Sequence, residues 1–270
     1  MLLSPIEQSI RKKMVSQGTP LSKWDLSINY GIKTGFNEAF IISSEKKDEL
    51  IAEDPKSAEI IRPILRGRDI KRYEYTFADL WLIATFPSRH YKIEDFPAIK
   101  KHLLSYGIER LEQTGKKHII NGSEVKARKK TNNKWFETQD SINYWNEFFK
   151  HKIVYREISD AMNACLVDPN YMLNNKCYLI TGEHLVYILC FFNSSLFTKI
   201  MLQQANTTGG KGEGFLNNIS LLYPTDTIEA ELVDIYKQRE HSPETADKLI
   251  DEMFCNLYGL TEEEKQFIFN

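Results

Sequence analysis

The stretch His184–Leu202 constrains the fold most. It reads Leu185-Val186-Tyr187-Ile188-Leu189-Cys190-Phe191-Phe192, then Leu196-Phe197-Thr198-Lys199-Ile200-Met201-Leu202. A membrane span needs about 20 apolar residues in succession. Asn193, Ser194, Ser195, Thr198 and Lys199 interrupt this run first. The pattern therefore predicts two buried helices meeting at Asn193-Ser194-Ser195, with Ser194 or Ser195 capping the second. Helices this apolar need a large core around them. With 270 residues, 42% apolar and 12% aromatic, the chain can build one large domain or two small ones. The aromatic content excludes disorder, and 13 Gly with 9 Pro exclude a collagen-like or low-complexity chain.

The net charge of −2 hides an asymmetry. Asp226–Glu264 holds 12 acidic and 3 basic residues, a local net of −9 that leaves +7 on the remainder. A basic body with an acidic tail suggests a surface facing a polyanion in one part and another role in the other. The four cysteines (Cys165, Cys177, Cys190, Cys255) lack CxxC spacing and closely spaced histidines, which argues against zinc. Arg11, Lys12 and Lys13 follow soon after Met1 with no secretory apolar segment. Scattered thiols without a signal lead us to expect a reducing cytoplasm and no membrane partner.

Residues 5–17 predict a helix, broken by Gly18-Thr19-Pro20. Apolar residues alternate at Trp24, Leu26, Ile28 and Tyr30, the period of a strand. Gly31 and Gly35 then bracket a tight loop, with a strand resuming over Ala39–Ser43. A polar helix follows at 46–61, divided at Asp54-Pro55. Leu80–Phe86 reads as a buried strand, and Phe96-Pro97-Ala98-Ile99 opens a helix of about 14 residues. The polar stretch 114–134 predicts a loop. Lys152–Ile158, Cys165–Asp168 and Lys176–Thr181 predict three more strands, and 207–214 a four-glycine loop. In the acidic tail, Ile228–Arg239 is helical. Ala246, Leu249, Ile250, Met253, Phe254 and Leu257 form one apolar helical stripe between Ser242-Pro243 and Gly259. Thr261 with Glu264 is a capping box. These elements divide the chain into a body, 1–224, and a helical hairpin, 225–270, that packs on the body or on a partner. Strands and helices do not alternate regularly, so the expected class is α+β with a mixed sheet.

Nucleophile elbows, Walker A loops, dinucleotide fingerprints, HExxH and the Pro-Pro-aromatic signature of adenine methyltransferases are absent. The six histidines stand apart from one another, as structural histidines do. Basic and polar residues on loops are plentiful instead. Lys116, Lys117, Lys126, Arg128, Lys129, Lys130 and Lys134 face one acid, Glu124, with Thr131, Asn132 and Asn133 among them. Cations supply salt-dependent phosphate affinity, while short amides and hydroxyls can read base edges; a merely solvated basic loop is the alternative. A second cluster joins Arg62, Arg66, Arg68, Lys71 and Arg72 around Gly67 and Asp69. It suits close approach to phosphate, or else is a turn with paired ions. Lys211 in the glycine loop is a further phosphate candidate, against a plain mobile loop.

Three strings resemble one family: Gly31-Ile32-Lys33-Thr34-Gly35-Phe36-Asn37-Glu38-Ala39-Phe40, Leu65-Arg66-Gly67-Arg68-Asp69-Ile70-Lys71-Arg72-Tyr73, and Leu196-Phe197 after Asn193-Ser194-Ser195. With the ending Leu257-Tyr258-Gly259-Leu260-Thr261-Glu262-Glu263-Glu264, they are similar to the TaqI-like C-terminal specificity domain. That family recognises targets for type IIG restriction-modification enzymes and adenine-specific DNA methyltransferases. The resemblance implies sequence-specific recognition of double-stranded DNA, with no catalytic residue or metal site in this chain. It also implies a methyltransferase or nuclease-methyltransferase partner, as a further domain of a longer enzyme or a separate subunit. S-adenosylmethionine and magnesium are implied only for that partner or for missing domains. Methylation flips the target base out of the helix, so a second domain must grip the duplex and read its neighbours. The implied DNA contacts are Lys33, Thr34, Asn37, Arg66, Arg68, Arg72, Lys126, Arg128, Lys129, Lys130, Asn132, Lys134 and Lys211. Arg156 is either a contact or a partner of Glu157. Two other readings remain open: a small metal-dependent nuclease using Glu124 and Lys126, and an interaction module acting through the C-terminal helices.

Overall fold

The computed structural model describes residues 3–157, 161–201 and 212–270, so Lys211 lies outside the described residues. Helix α1 (Pro5–Gln17) leads into β1 (Thr19–Pro20) and β2 (Leu26–Tyr30). A short α2 (Asn37–Phe40), β3 (Ile41–Ser43) and α3 (Ser44–Glu53) precede β4 (Ile61–Leu65) and β5 (Leu80–Ile83). Helices α4 (Pro97–Leu104) and α5 (Ile108–Leu111) come next, followed by the hairpin β6 (Lys117–Ile120) and β7 (Ser123–Lys126). Four strands follow: β8 (Lys152–Arg156), β9 (Cys165–Val167), β10 (Met172–Leu173) and β11 (Cys177–Gly182). Helix α6 (Leu185–Phe192) precedes a π-helical turn at Phe197–Met201. The chain ends with α7 (Glu213–Asn217), β12 (Ser220–Leu221), α8 (Asp226–Gln238), α9 (Pro243–Leu257) and α10 (Glu262–Phe269).

Two four-stranded sheets organise these elements, in the orders β2-β11-β8-β9 and β10-β4-β5-β3. The first is antiparallel throughout; in the second, β10 runs parallel to β4 beside antiparallel neighbours. The mixed α+β class is therefore as the sequence predicts. Successive strand residues point to opposite faces, and the first sheet buries both. Ile153, Tyr155 and Ile180 enter one core with α1, α6 and the C-terminal helices. Val154, Cys165, Val167, Cys177 and Leu179 enter a second core with the other sheet and α2–α4. Burial on both faces explains why these strands read as unbroken apolar runs.

Helix α6 anchors the first core. Tyr187 through Phe192 are all buried, each ring worth roughly 1.5–3 kcal/mol over exposure. The break after it forms at Asn193, and the Ser194 hydroxyl accepts from the Phe197 N–H (3.1 Å), capping the second segment. Among the described residues no helix is long and apolar enough to cross a membrane. Phe254 of α9 packs on Tyr187 and Phe191, so the first core continues across residue 224. Ser9 and Lys13 of α1 both donate to the Glu264 carboxylate (2.7 and 2.6 Å). Glu264 also closes the capping box with Thr261 (2.8 Å) and so ties the two ends of the chain together.

Local details depart from the sequence reading where tertiary geometry overrides pattern. Ala39 and Phe40 turn as a helix, and the strand begins only at Ile41. The 14-residue helix stops at Leu104 because Gly107 adopts φ +87 before a separate short helix. The predicted loop 114–134 contains the hairpin β6–β7. Its Asn121-Gly122 turn has positive φ at both residues (50 and 80), the pairing that two-residue hairpins favour. Strand β4 forms despite Pro63.

Candidate nucleic-acid interface

The C-terminal ends of β2, β4 and β10 meet at Asn174. Its N–H donates to the Leu65 carbonyl (3.0 Å), and the Ile32 N–H donates to Leu173 (2.7 Å). The Asn174 side-chain oxygen accepts from the backbone N–H of Gly67 and of Lys176 (both 3.2 Å). Leu173 and Asn174 thus hold the two loops that the sequence singles out, the glycine loop through the Leu173 carbonyl and the Gly67 turn through the Asn174 amide. Gly31 allows this approach: a Cβ there would lie 1.9 Å from the Asn174 carbonyl oxygen.

Around Gly67 the Leu65–Tyr73 string forms an open pocket of about 320 Å³ lined by Arg66, Gly67, Arg68, Arg156, Asn174 and Lys176. Arg66 is held in a fork by the buried Asp69, its Nε and Nη2 donating at 3.0 and 2.8 Å. That bond raises the Arg66 pKa further and fixes the guanidinium as a wall of the pocket. Arg68 is exposed, and neither it nor Arg156 has an ion pair among the described residues. Lys176 takes Glu157 as its partner at 3.6 Å, and Arg156 lines the pocket beside it. Sequence reasoning missed Asn174 and Lys176, the latter read only as the start of the strand Lys176–Thr181.

A second basic surface is built on a buried cation. Arg128 is 4% exposed, and its guanidinium donates to the carbonyls of Leu111 (2.8 Å), Thr34 (2.8 Å), Glu137 (2.8 Å) and Trp135 (2.6 Å). Burial lowers its pKa to about 10, which leaves it protonated at neutral pH. Arg128 is thus a structural post, not the DNA contact that its basic surroundings imply. It joins the first glycine loop to the 128–140 loop, crossing over Gly35 (φ +79). Thr34 is likewise corrected: it is buried, with its hydroxyl donating to Asn37 (2.7 Å). Asp140 binds the Lys33 N–H (3.1 Å), and burial raises its carboxyl pKa.

Gln113 and Asn133 hold the rest of the 128–140 loop. Gln113 donates to the Lys134 and Glu137 carbonyls and accepts from Thr131; Asn133 donates to Gln139. Thr131 and Asn133 are therefore engaged in the loop itself, while Lys129, Lys130, Asn132 and Lys134 stay exposed. Lys33 and Asn37 are exposed on the adjoining loop, and Lys126 on the hairpin. Glu124, the acid of the nuclease reading, pairs across the hairpin with Lys117 (3.0 Å). Among the described residues no three His, Cys, Asp or Glu side chains are placed to hold a metal.

Arg72 points elsewhere. Its guanidinium donates to the Asn193 carbonyl (3.0 Å from Nη2) and pairs with Asp247 of α9. Arg239 shares Asp247, and both arginines stack on Tyr73, at 4.7 and 3.6 Å from its ring centre. Arg72, though exposed, therefore serves as a clamp between the Leu65–Tyr73 string and the C-terminal helices.

The model of the TaqI-like C-terminal specificity domain matches residues 62–213, more than half of the chain. The chain belongs to that family. The match within this TaqI-like domain takes in the Arg66–Arg68 turn, the hairpin, Arg128 and all of the pocket, and leaves out the first glycine loop at Gly31–Gly35 and the C-terminal helices. Two solved structures share its fold. The type IIL restriction-modification enzyme MmeI, in complex with DNA, aligns with a TM-score of 0.55 at 17% identity, covering 93% of this chain and 35% of MmeI. The type IIG restriction endonuclease BpuSI aligns at 0.50 and 10% identity, covering 94% of this chain and 33% of BpuSI. The TaqI-like chain thus spans about a third of the length of either enzyme. Among proteins of curated function, none matches it.

Proposed function

We propose that this chain recognises a short sequence in double-stranded DNA as the specificity module of a restriction-modification system. The observation that carries the reading is the Gly67 pocket, in a TaqI-like specificity fold, with Arg66, Arg68, Arg156 and Lys176 on its walls. Forked or unpaired guanidinium groups on a fixed backbone suit phosphate oxygens. The neighbouring surface adds Lys33, Lys129, Lys130 and Lys134 for phosphates, with Asn37 and Asn132 as short amides able to reach base edges. The hairpin β6–β7, with Lys126 at its base and Ile119 73% exposed, has the width of a two-stranded ribbon that a major groove admits. The DNA complex of MmeI, a protein of the same fold, supports this assignment. Base modification or cleavage would fall to a methyltransferase or nuclease-methyltransferase module that supplies S-adenosylmethionine or magnesium chemistry.

A salt titration tests this reading. With a labelled random-sequence duplex, the logarithm of the binding constant should fall linearly with log salt, by about 0.9 per phosphate neutralised. Four to five such contacts would give a slope of about −4. Binding that ignores salt, or none at low salt, would reject the interface.

A further inference from the structure

The apolar stripe of α9 divides into two edges. Ala246, Ile250 and Phe254 enter the core, whereas Leu249, Met253 and Leu257, at i, i+4 and i+8, remain partly open. They face Ile228 and Ile235 of α8 across a groove of about 400 Å³, with Glu231, Glu252 and Asn256 on its rim. Leu249 is 37% exposed on this floor. Of the other acids of the two helices, Glu229 is engaged by His184, Asp234 by Lys237, Asp247 by Arg72 and Arg239, and Asp251 by Ser195, while Asp226 and Glu244 do not line the groove. Glu231 and Glu252 are exposed and form no ion pair among the described residues. The groove is therefore an aliphatic floor edged by two uncompensated carboxylates.

That combination selects its occupant. DNA and anionic lipid are repelled by the rim. A second copy docked symmetrically would set Glu231 and Glu252 against the same acidic patch. We infer that the α8–α9 groove docks a basic amphipathic helix of a partner, with aliphatic side chains on Leu249, Met253 and Leu257 and flanking Lys or Arg against Glu231 and Glu252. Helix-in-groove recognition reads such i, i+3/i+4, i+7 anchors. The site lies outside the stretch matched to the specificity family and does not depend on the DNA reading.

The probe is a labelled alanine-based helical peptide with leucines at i, i+4 and i+7 edged by lysines, titrated into the whole chain by fluorescence anisotropy. We expect saturable binding, weakened about ten-fold or more by Leu249→Asp. A glutamate-edged peptide with the same leucines should bind at least about ten-fold more weakly, and Glu231→Lys with Glu252→Lys should reverse that preference. Leu249 and both glutamates are solvent-facing, so unchanged melting temperatures show that the variants remain folded. Equal binding of the two peptides, or no binding of either, overturns the proposal. So does self-association in sedimentation that Leu249→Asp removes, which would give the groove to a second copy.

Discussion

Replacing Arg128 with methionine is expected to destabilise the fold by about 3 kcal/mol or more, read as a lower denaturant midpoint. The side chain satisfies the carbonyls of Leu111, Thr34, Glu137 and Trp135 at one point. Methionine fills the space and takes the donor from the Leu111, Thr34 and Trp135 carbonyls, while the Glu137 carbonyl keeps only Gln113. Arg128→Lys should fall between, because one ammonium has three donors and lacks the fork that reaches four oxygens. DNA affinity of the folded fraction should drop too, since Arg128 joins the glycine loop to the 128–140 loop. If Arg128→Met kept full stability and lost only DNA affinity, Arg128 would be a DNA contact after all and the account of that loop would fail.

The second large effect belongs to the pocket. Arg68→Ala with Arg156→Ala should lower duplex affinity about 100-fold at low salt and make the salt slope shallower by about 2, one unit per lost phosphate contact. Melting should hardly change, because neither side chain is in an ion pair among the described residues. Arg66→Ala is a less clean variant: it removes the partner of the buried Asp69 and so costs stability as well. An unchanged slope in the double variant would remove the Gly67 pocket from the interface.

Local features were readable from the chain itself. The limits of α9 follow from Ser242-Pro243 and Gly259, and the Thr261–Glu264 box is as its spacing predicts. Strands β8, β9 and β11 of the first sheet show as apolar runs because both faces are buried, whereas the edge strand β2 shows by its alternation. What escaped depends on contacts distant in sequence. The hairpin β6–β7 is solvated, so its Lys-His-Ile-Ile and Ser-Glu-Val-Lys strands lack a clear apolar face; only Asn121-Gly122 signals it. Composition does not say which of seven clustered cations turns inward. Arg128 is the only arginine among them, and a guanidinium serves several carbonyls where lysine cannot. Arg72 likewise looks like a partner of its neighbours in sequence, but its carboxylate is Asp247, 175 residues away. The glycine loop and the Arg-Gly-Arg-Asp turn were each visible, whereas their meeting at Asn174 required the strand order.

The most direct test of the central claim is selection of duplexes from a randomised pool with the purified chain at moderate salt. The winner's affinity is then compared with that of the unselected pool. The account predicts enrichment of one short motif, bound at least about ten-fold more tightly than the pool, a difference of about 1.4 kcal/mol. Substitutions at Asn37 or Asn132 should relax the motif at single positions, while Arg68→Ala should weaken all sequences alike. A pool that emerges without a motif, bound no better than at the start, would contradict it.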